Sequence, residues 1–311
     1  MLFRFVVMAI LCLPLWACTG DKENVTAEAP LTVGVMPSLD YLPLAVAQRE
    51  GYFAKHNLSV VLQKFYSANE RDAAFQAGSI DGTVIDYTGA ILQKAGGVKL
   101  ALTSRCDAPF FLVAGQKTGA QKVSDIAGHT VAVSQNTVID YVLDMALAAA
   151  GLTGNDVQKL EINKIPLRFE MLRSGKIDAT GLPNPFAMMA EKAGDSVLVS
   201  NQDMGLSITG IMFSEQAVKN KAKKITALYA AYTMGAEYLA AHPVSAVKEI
   251  LVTQFGYPPE VAENAVLPIY GPASLPDTKS LLSVAKWLEG RGLIAPGFDV
   301  EGLVNGAFIG Q

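Results

Sequence analysis

Cysteine, histidine and tryptophan are scarce in this chain, at three, three and two of 311 residues. Cys12 lies in an apolar N-terminal run and Cys18 just beyond it, so Cys106 is the only thiol left for a folded body. One thiol closes no intramolecular disulfide and builds no metal cluster; a small buried hydrophobe is its plainest role. His56, His129 and His242 stand in unrelated contexts, with no zinc spacing and no histidine-based catalytic arrangement. The sequence therefore predicts no catalytic residue, no metal and no cofactor. Charge is sparse too, at 17% of residues with a formal net charge of −4. A nucleic-acid partner, which favours a basic stripe, is not expected.

Apolar residues make up half of the sequence, ample material for a core. The length suits two domains better than one, because single cores stop growing near ~250–300 residues. At the N-terminus, Arg4 precedes an apolar run over residues 5–13 and then Leu15-Trp16-Ala17-Cys18. A short basic start, an apolar segment of that length and a small residue before the break predict a secretory signal over residues 1–17, not a membrane span. The Leu-x-Ala-Cys ending resembles the bacterial lipobox, whose cysteine is lipidated and opens the mature chain; the blander reading is ordinary cleavage near Ala17. After Cys18, residues 19–30 (TGDKENVTAEAP) are polar and aperiodic, as a tether would be. Residues 18–30 are thus expected to hold a soluble body beside a bacterial membrane, in the periplasm or on the cell surface.

Two stretches organise the body: residues 74–90, AFQAGSIDGTVIDYTGA, and residues 171–187, MLRSGKIDATGLPNPFA. Each reads as a helix end, Gly-x-Ile-Asp, a short strand and a polar loop opening another helix. Gly78 and Gly175, 97 residues apart, sit where a helix needs a left-handed closing residue. That spacing is the size of a small domain, not of a solenoid repeat. Strand-like segments at residues 31–36, 58–65, 82–85 and 98–103 alternate with helical ones at 42–53, 69–77 and 88–95. From residue 109 the same order begins again. Such alternation predicts mostly parallel sheets covered on both faces. Residues 206–213 read as a strand leading back, and the remainder as helices, at 225–241, 244–255, 259–266 and 278–290. The expected division is residues 31–105 plus 206–311 for one lobe and 106–205 for the other, with crossings near residues 104–109 and 201–206.

Tyr41-Leu42-Pro43-Leu44-Ala45-Val46-Ala47-Gln48-Arg49-Glu50-Gly51-Tyr52-Phe53, with Asn57-Leu58-Ser59-Val60 after it, resembles the opening signature of the SsuA/THI5-like (NMT1-like) solute-binding proteins. Residues 68–82 (ANERDAAFQAGSIDG), Pro166-Leu167-Arg168 and Gly175-Lys176-Ile177-Asp178-Ala179 continue the likeness, which covers about residues 31–270. The resemblance implies an α/β, two-lobe type II periplasmic-binding-protein fold with an interlobe cleft and a helical C-terminal segment. It also implies the solute-binding component of an ABC importer, not an enzyme, working with permease and ATPase subunits. A branch of eukaryotic relatives makes the thiamine pyrimidine with a cysteine-rich motif that is missing here. A ligand-sensing lobe for a membrane partner is the other alternative. A monomer is expected.

Loops after strands face such a cleft. Asp40 and Tyr41 follow the first strand; Asp86, Tyr87 and Thr88 follow the third; Asn184, between two prolines, holds the corresponding place in the second copy. Ser134, Asn136 and Thr137 precede a helix and either cap it or hold a polar or anionic group. Arg168 either grips an anion or bridges to Glu170 or Asp178. Tyr41 and Tyr87 either wall the cleft or pack in the core, and Arg105 sits at the hinge or in the cleft. Asp86 is the foremost candidate, since nothing nearby in sequence neutralises it; with the tyrosines it favours a cationic or heteroaromatic ligand. Asp86→Ala is accordingly expected to weaken ligand binding, measured by titration calorimetry, while the fold persists.

Overall fold

The computed structural model describes residues 29–106 and 108–310; the expected signal, Cys18 and most of the tether lie outside them. The first lobe opens with β1 (Leu31–Val35), α1 (Leu42–Arg49), α2 (Tyr52–Lys55), β2 (Val60–Lys64), α3 (Ala68–Gln76), β3 (Gly82–Asp86), α4 (Tyr87–Ala95) and β4 (Leu100–Arg105). The second holds β5 (Phe110–Ala114), β6 (Thr130–Val133), α5 (Val138–Ala149), β7 (Gln158–Glu161), α6 (Ile165–Arg173), β8 (Ala179–Pro183), α7 (Phe186–Lys192) and β9 (Ser196–Ser200). The chain returns through β10 (Thr209–Ser214) and ends in α8 (Glu215–Asn220), α9 (Ala222–Ala241), α10 (Lys248–Phe255), α11 (Pro259–Ala262) and α12 (Thr278–Gly290).

Two five-stranded sheets result, ordered β2-β1-β3-β10-β4 and β7-β6-β8-β5-β9. In each, one strand runs against the rest: β10 is antiparallel to β3 and β4, and β5 to β8 and β9. Both reversed strands are the ones that have just crossed from the other lobe, so each sheet is closed by a strand arriving from its neighbour. The expected helix over residues 42–53 is interrupted at Gly51, whose φ of 70° no helix interior accommodates. The expected helix at 259–266 stops after Ala262, and an irregular segment leads to α12.

The internal repeat is physical. Gly78 and Gly175 take φ of 71° and 68°, and Ile80 and Ile177 behind them are buried. Asp81 accepts the Thr32 N–H at 2.8 Å, and Asp178 accepts the Thr130 N–H at 2.9 Å. Thr83 and Thr180, one strand position on, donate to the carbonyls of Gly34 and Ala132, each at 2.9 Å. Each motif thus pins the start of a parallel strand, β1 in one lobe and β6 in the other, to the strand beside it.

The helical tail packs on the first lobe. Gly235, inside the 20-residue α9, lies so near α1 that an added Cβ would sit 2.1 Å from the Pro43 carbonyl oxygen. A mid-helix glycine costs about 1 kcal/mol relative to alanine; close helix contact is the return. At the far end of the tail, α12 reaches α5 of the second lobe. Tyr141 meets Trp287 edge-on at 5.5 Å and bonds Ser283 at 2.9 Å. Fully buried Asp140 pairs with Lys159 at 2.6 Å and Arg291 at 3.2 Å. Asp144 pairs with Arg291 and accepts the Trp287 indole N–H, both at 3.0 Å. Asp140 also accepts the Asn136 N–H at 3.0 Å, joining this charge cluster to the loop before α5. Arg291→Gln leaves Asp140 with Lys159 alone and is expected to lower stability by about 1–2 kcal/mol. Urea unfolding followed by Trp287 fluorescence measures it; an unchanged midpoint contradicts the cluster's role.

Candidate functional site

Between the lobes, at the C-terminal ends of β1, β3 and β6, lies a cleft with an empty volume of about 510 Å³, mouth included. Met36, Val84, Ile85, Phe110, Val138, Ile139 and Ile165 give it mainly apolar walls. Its polar lining comes from both sides: Ser38, Asp40, Arg71, Asp86 and Thr209 of the first lobe, and Ser134, Thr137, Asn163 and Arg168 of the second.

Arg71 and Arg168 are counterparts in the repeat, 97 residues apart like the two glycines. Both lie in the helix ahead of Gly-x-Ile-Asp, and both are buried, at 3% and 1% exposure. Their surroundings differ. Arg71 is held by Asp72 at 2.8 Å and Asp86 at 3.4 Å. Burial lowers its pKa, but the two carboxylates outweigh that and the net shift is upward. At the matching positions of the second lobe stand Phe169 and Pro183, so Arg168 has no such partners. Its Nη1 donates to the carbonyls of Ile162 at 2.9 Å and Asn163 at 3.4 Å, and its buried Nε has no acceptor. Burial pushes its pKa down to about 10, with the more distant Glu161 opposing, so the group remains charged at neutral pH.

Helix starts show the same asymmetry. Asp86 caps α4, accepting the Gly89 N–H at 2.8 Å, and it also accepts the Thr88 hydroxyl. Thr137 precedes α5, yet its hydroxyl donates back to the Ser134 carbonyl at 2.8 Å and caps nothing. Ser134 donates to Asn163 at 2.7 Å. The first turn of α5, Val138 and Ile139, therefore faces the cleft without a capping side chain, beside Arg168. A helix start of this kind favours negative charge; Asp140 in the same turn supplies one carboxylate, which Lys159 and Arg291 pair.

Of the residues singled out in the sequence, Asp40, Asp86, Ser134, Thr137 and Arg168 line the cleft. The bridge from Arg168 to Glu170 or Asp178 is absent; Asp178 faces His129 instead. Asp86 is neutralised after all, by Arg71 from 15 residues upstream. Asp40 is engaged by the Ser38 and Thr209 hydroxyls at 2.9 and 3.0 Å and by the Ala108 N–H at 3.2 Å, which ties it to both crossings. Tyr41 is core: it stacks on Phe255 at 4.3 Å and bonds the Gln254 carbonyl. Tyr87 is fully buried against Ser207, and Thr88 is spent on Asp86. Arg105 lines a separate depression at the crossings with Asp277 and Asn201. Asn136 turns the loop with φ of 61° and its side chain does not line the cleft. Asn184, in a cis bond to Pro185, is buried outside it, with its Oδ1 unpartnered. Arg71 was missed although the 97-residue offset that aligns the glycines also aligns it with Arg168.

The family profile described as NMT1/THI5 like matches residues 38–246. A protein of Brachyspira hyodysenteriae named as an ABC transporter periplasmic binding protein is 23% identical over 79% of this chain and 76% of its own length. A Haemophilus influenzae protein named for thiamine biosynthesis is 24% identical over 94% of this chain and 93% of its own. Among solved structures, the alkanesulfonate-binding protein SsuA of Xanthomonas axonopodis pv. citri, bound to MOPS, superposes with a TM-score of 0.76. That match has 19% identity and covers 89% of this chain and 98% of that one. The two-lobe α/β fold is therefore that of periplasmic binding proteins, and the chain belongs to the NMT1/THI5-like family as a binding protein of the ABC-importer type.

Proposed function

We propose that this protein captures a small organic anion, with a sulfonate, carboxylate or phosphate head and a compact apolar body, for delivery to an ABC permease and its ATPase. The observation that carries the reading is Arg168, a buried cation with no ion-pair partner among the described residues, Glu161 acting on it only through its field. The uncapped start of α5 adds backbone N–H donors for the same head group. The apolar walls from Phe110, Val138, Ile139 and Ile165 on one side and Met36, Val84 and Ile85 on the other suit an aliphatic or aromatic remainder. The sulfonate recognised by the structurally similar SsuA is of this class. A cationic ligand is disfavoured, because Asp86 and Asp40 are already engaged. A ligand bridging both lobes binds the closed arrangement better and shifts the equilibrium toward it. On this reading the body is a monomer, lipidated at Cys18 and tethered to the membrane that holds the permease.

Arg168 separates binding from folding. A buried base with a lowered pKa binds fewer protons in the folded state, so its burial costs stability at neutral pH and that cost is relieved as pH rises through about 10. An anion in the cleft would offset it. Arg168→Met is therefore expected to weaken ligand binding at least about 30-fold while changing apo stability by no more than about 1 kcal/mol. Asp86→Ala should do the reverse. It removes the α4 cap and half of Arg71's neutralisation, at about 2–3 kcal/mol of stability. Titration calorimetry with a panel of sulfonates and carboxylates, alongside urea unfolding, measures both. Full affinity in Arg168→Met would remove the residue from the site.

A further inference from the structure

The pole of the first lobe opposite the cleft carries a concentration of cations. Lys219, Lys221, Lys223 and Lys224 crowd the junction of α8 and α9, and Lys94 and Lys99 flank the turn into β4. Lys94, Lys99 and Lys219 line one open groove. Glu215 lies 2.7 Å from Lys219, and Asp81 2.7 Å from Lys221. Lysines outnumber those acids in a chain whose net charge is −4. The first turn of α9 contains no acidic residue, and cations at a helix start oppose its dipole.

The body's N-terminal connection leaves at the same pole. Lys224 Nζ bonds the Ala29 carbonyl at 2.7 Å and Lys221 Nζ the Pro30 carbonyl at 3.3 Å, just ahead of β1. β4 begins here and β10 ends here, with Leu100 opposite Ser214. The cleft lies at the other end of the same sheet, a strand length of roughly 17 Å away. A surface held against this pole leaves the cleft unobstructed.

We propose that this lysine pole rests on the anionic phospholipid head groups of the membrane to which the chain is tethered, an inference that takes the lipidated Cys18 reading as its premise. Charge complementarity and the exit point of the tether both favour a lipid surface over an acidic protein. Each lysine adds attraction that decays within a Debye length.

The exported, processed protein is mixed with phosphatidylglycerol-rich vesicles and with pure phosphatidylcholine vesicles. Flotation with phosphatidylcholine reports the lipid anchor alone, so failure there counts against Cys18 lipidation and not against the pole. The pole is read from the reactivity of individual lysines toward a membrane-impermeant amine reagent, resolved by mass spectrometry. Lys99, Lys219 and Lys223 are expected to react at least about threefold more slowly on phosphatidylglycerol than on phosphatidylcholine, with the protection lost near ~0.5 M salt. Lys286 on α12 should be unaffected. If the protein lacks lipid, the same footprint is expected at higher phosphatidylglycerol concentration. K219E/K223E, altering two exposed side chains, should abolish the difference while leaving ligand affinity intact. Equal reactivity on both vesicles, or protection of Lys286 instead, overturns the proposal; protection by inorganic phosphate without vesicles assigns a free-phosphate site and overturns the membrane reading; protection only by an added acidic protein does the same.

Discussion

A buried guanidinium without a carboxylate is the constraint around which this structure turns. Desolvating a charge is costly, and proteins ordinarily offset it with an opposite charge close by. Arg71 follows that rule, with Asp72 and Asp86 around it. Arg168 does not, although the repeat places it in the equivalent helix of the other lobe. Two lobes of the same strand order thus differ in how they treat the equivalent arginine. One wall of the cleft is internally neutral; the other keeps a positive charge, which on the proposed reading a ligand pairs.

The rest of the architecture keeps that charge buried and the two walls in register. Each sheet is completed by a reversed strand from the neighbouring lobe, so the crossings are part of both cores. Asp40 ties both crossings to the loop after β1, and Asn201 bonds Phe110 and the Leu206 carbonyl, each at 2.7 Å, on the other side. The Asp140 and Asp144 cluster joins α5 to α12 across the lobes and also holds the loop at the start of α5. On the hinge-closure reading, movement of one lobe against the other would be felt at the loop beside Arg168.

Much of this was legible in the sequence. The Gly-x-Ile-Asp pair carried the repeat because its chemistry is local: a left-handed glycine, a buried isoleucine and an aspartate closing onto a nearby strand. The two crossings and the helical tail followed from the order of elements. Burial and pairing were not legible, because they depend on partners distant in sequence. Asp86 seemed unneutralised only because Arg71 lies 15 residues upstream, on a helix that folds back beside it. Tyr41 and Tyr87 follow strands as cleft residues do, but Phe255 and Ser207 claim them from the far side of the crossings. Conversely, Arg168 looked suited to a bridge with Glu170, but two residues apart within α6 the two face different sides of the helix, and Arg168 turns to the carbonyls before it.

The sign of the ligand's charge is the point on which the whole account rests. Native mass spectrometry of protein purified gently from its own host identifies what the cleft carries. An acidic compound of a size suited to a cavity of about 510 Å³ is the predicted result. A basic heterocycle such as a free pyrimidine amine, held with Arg168 present, would contradict it.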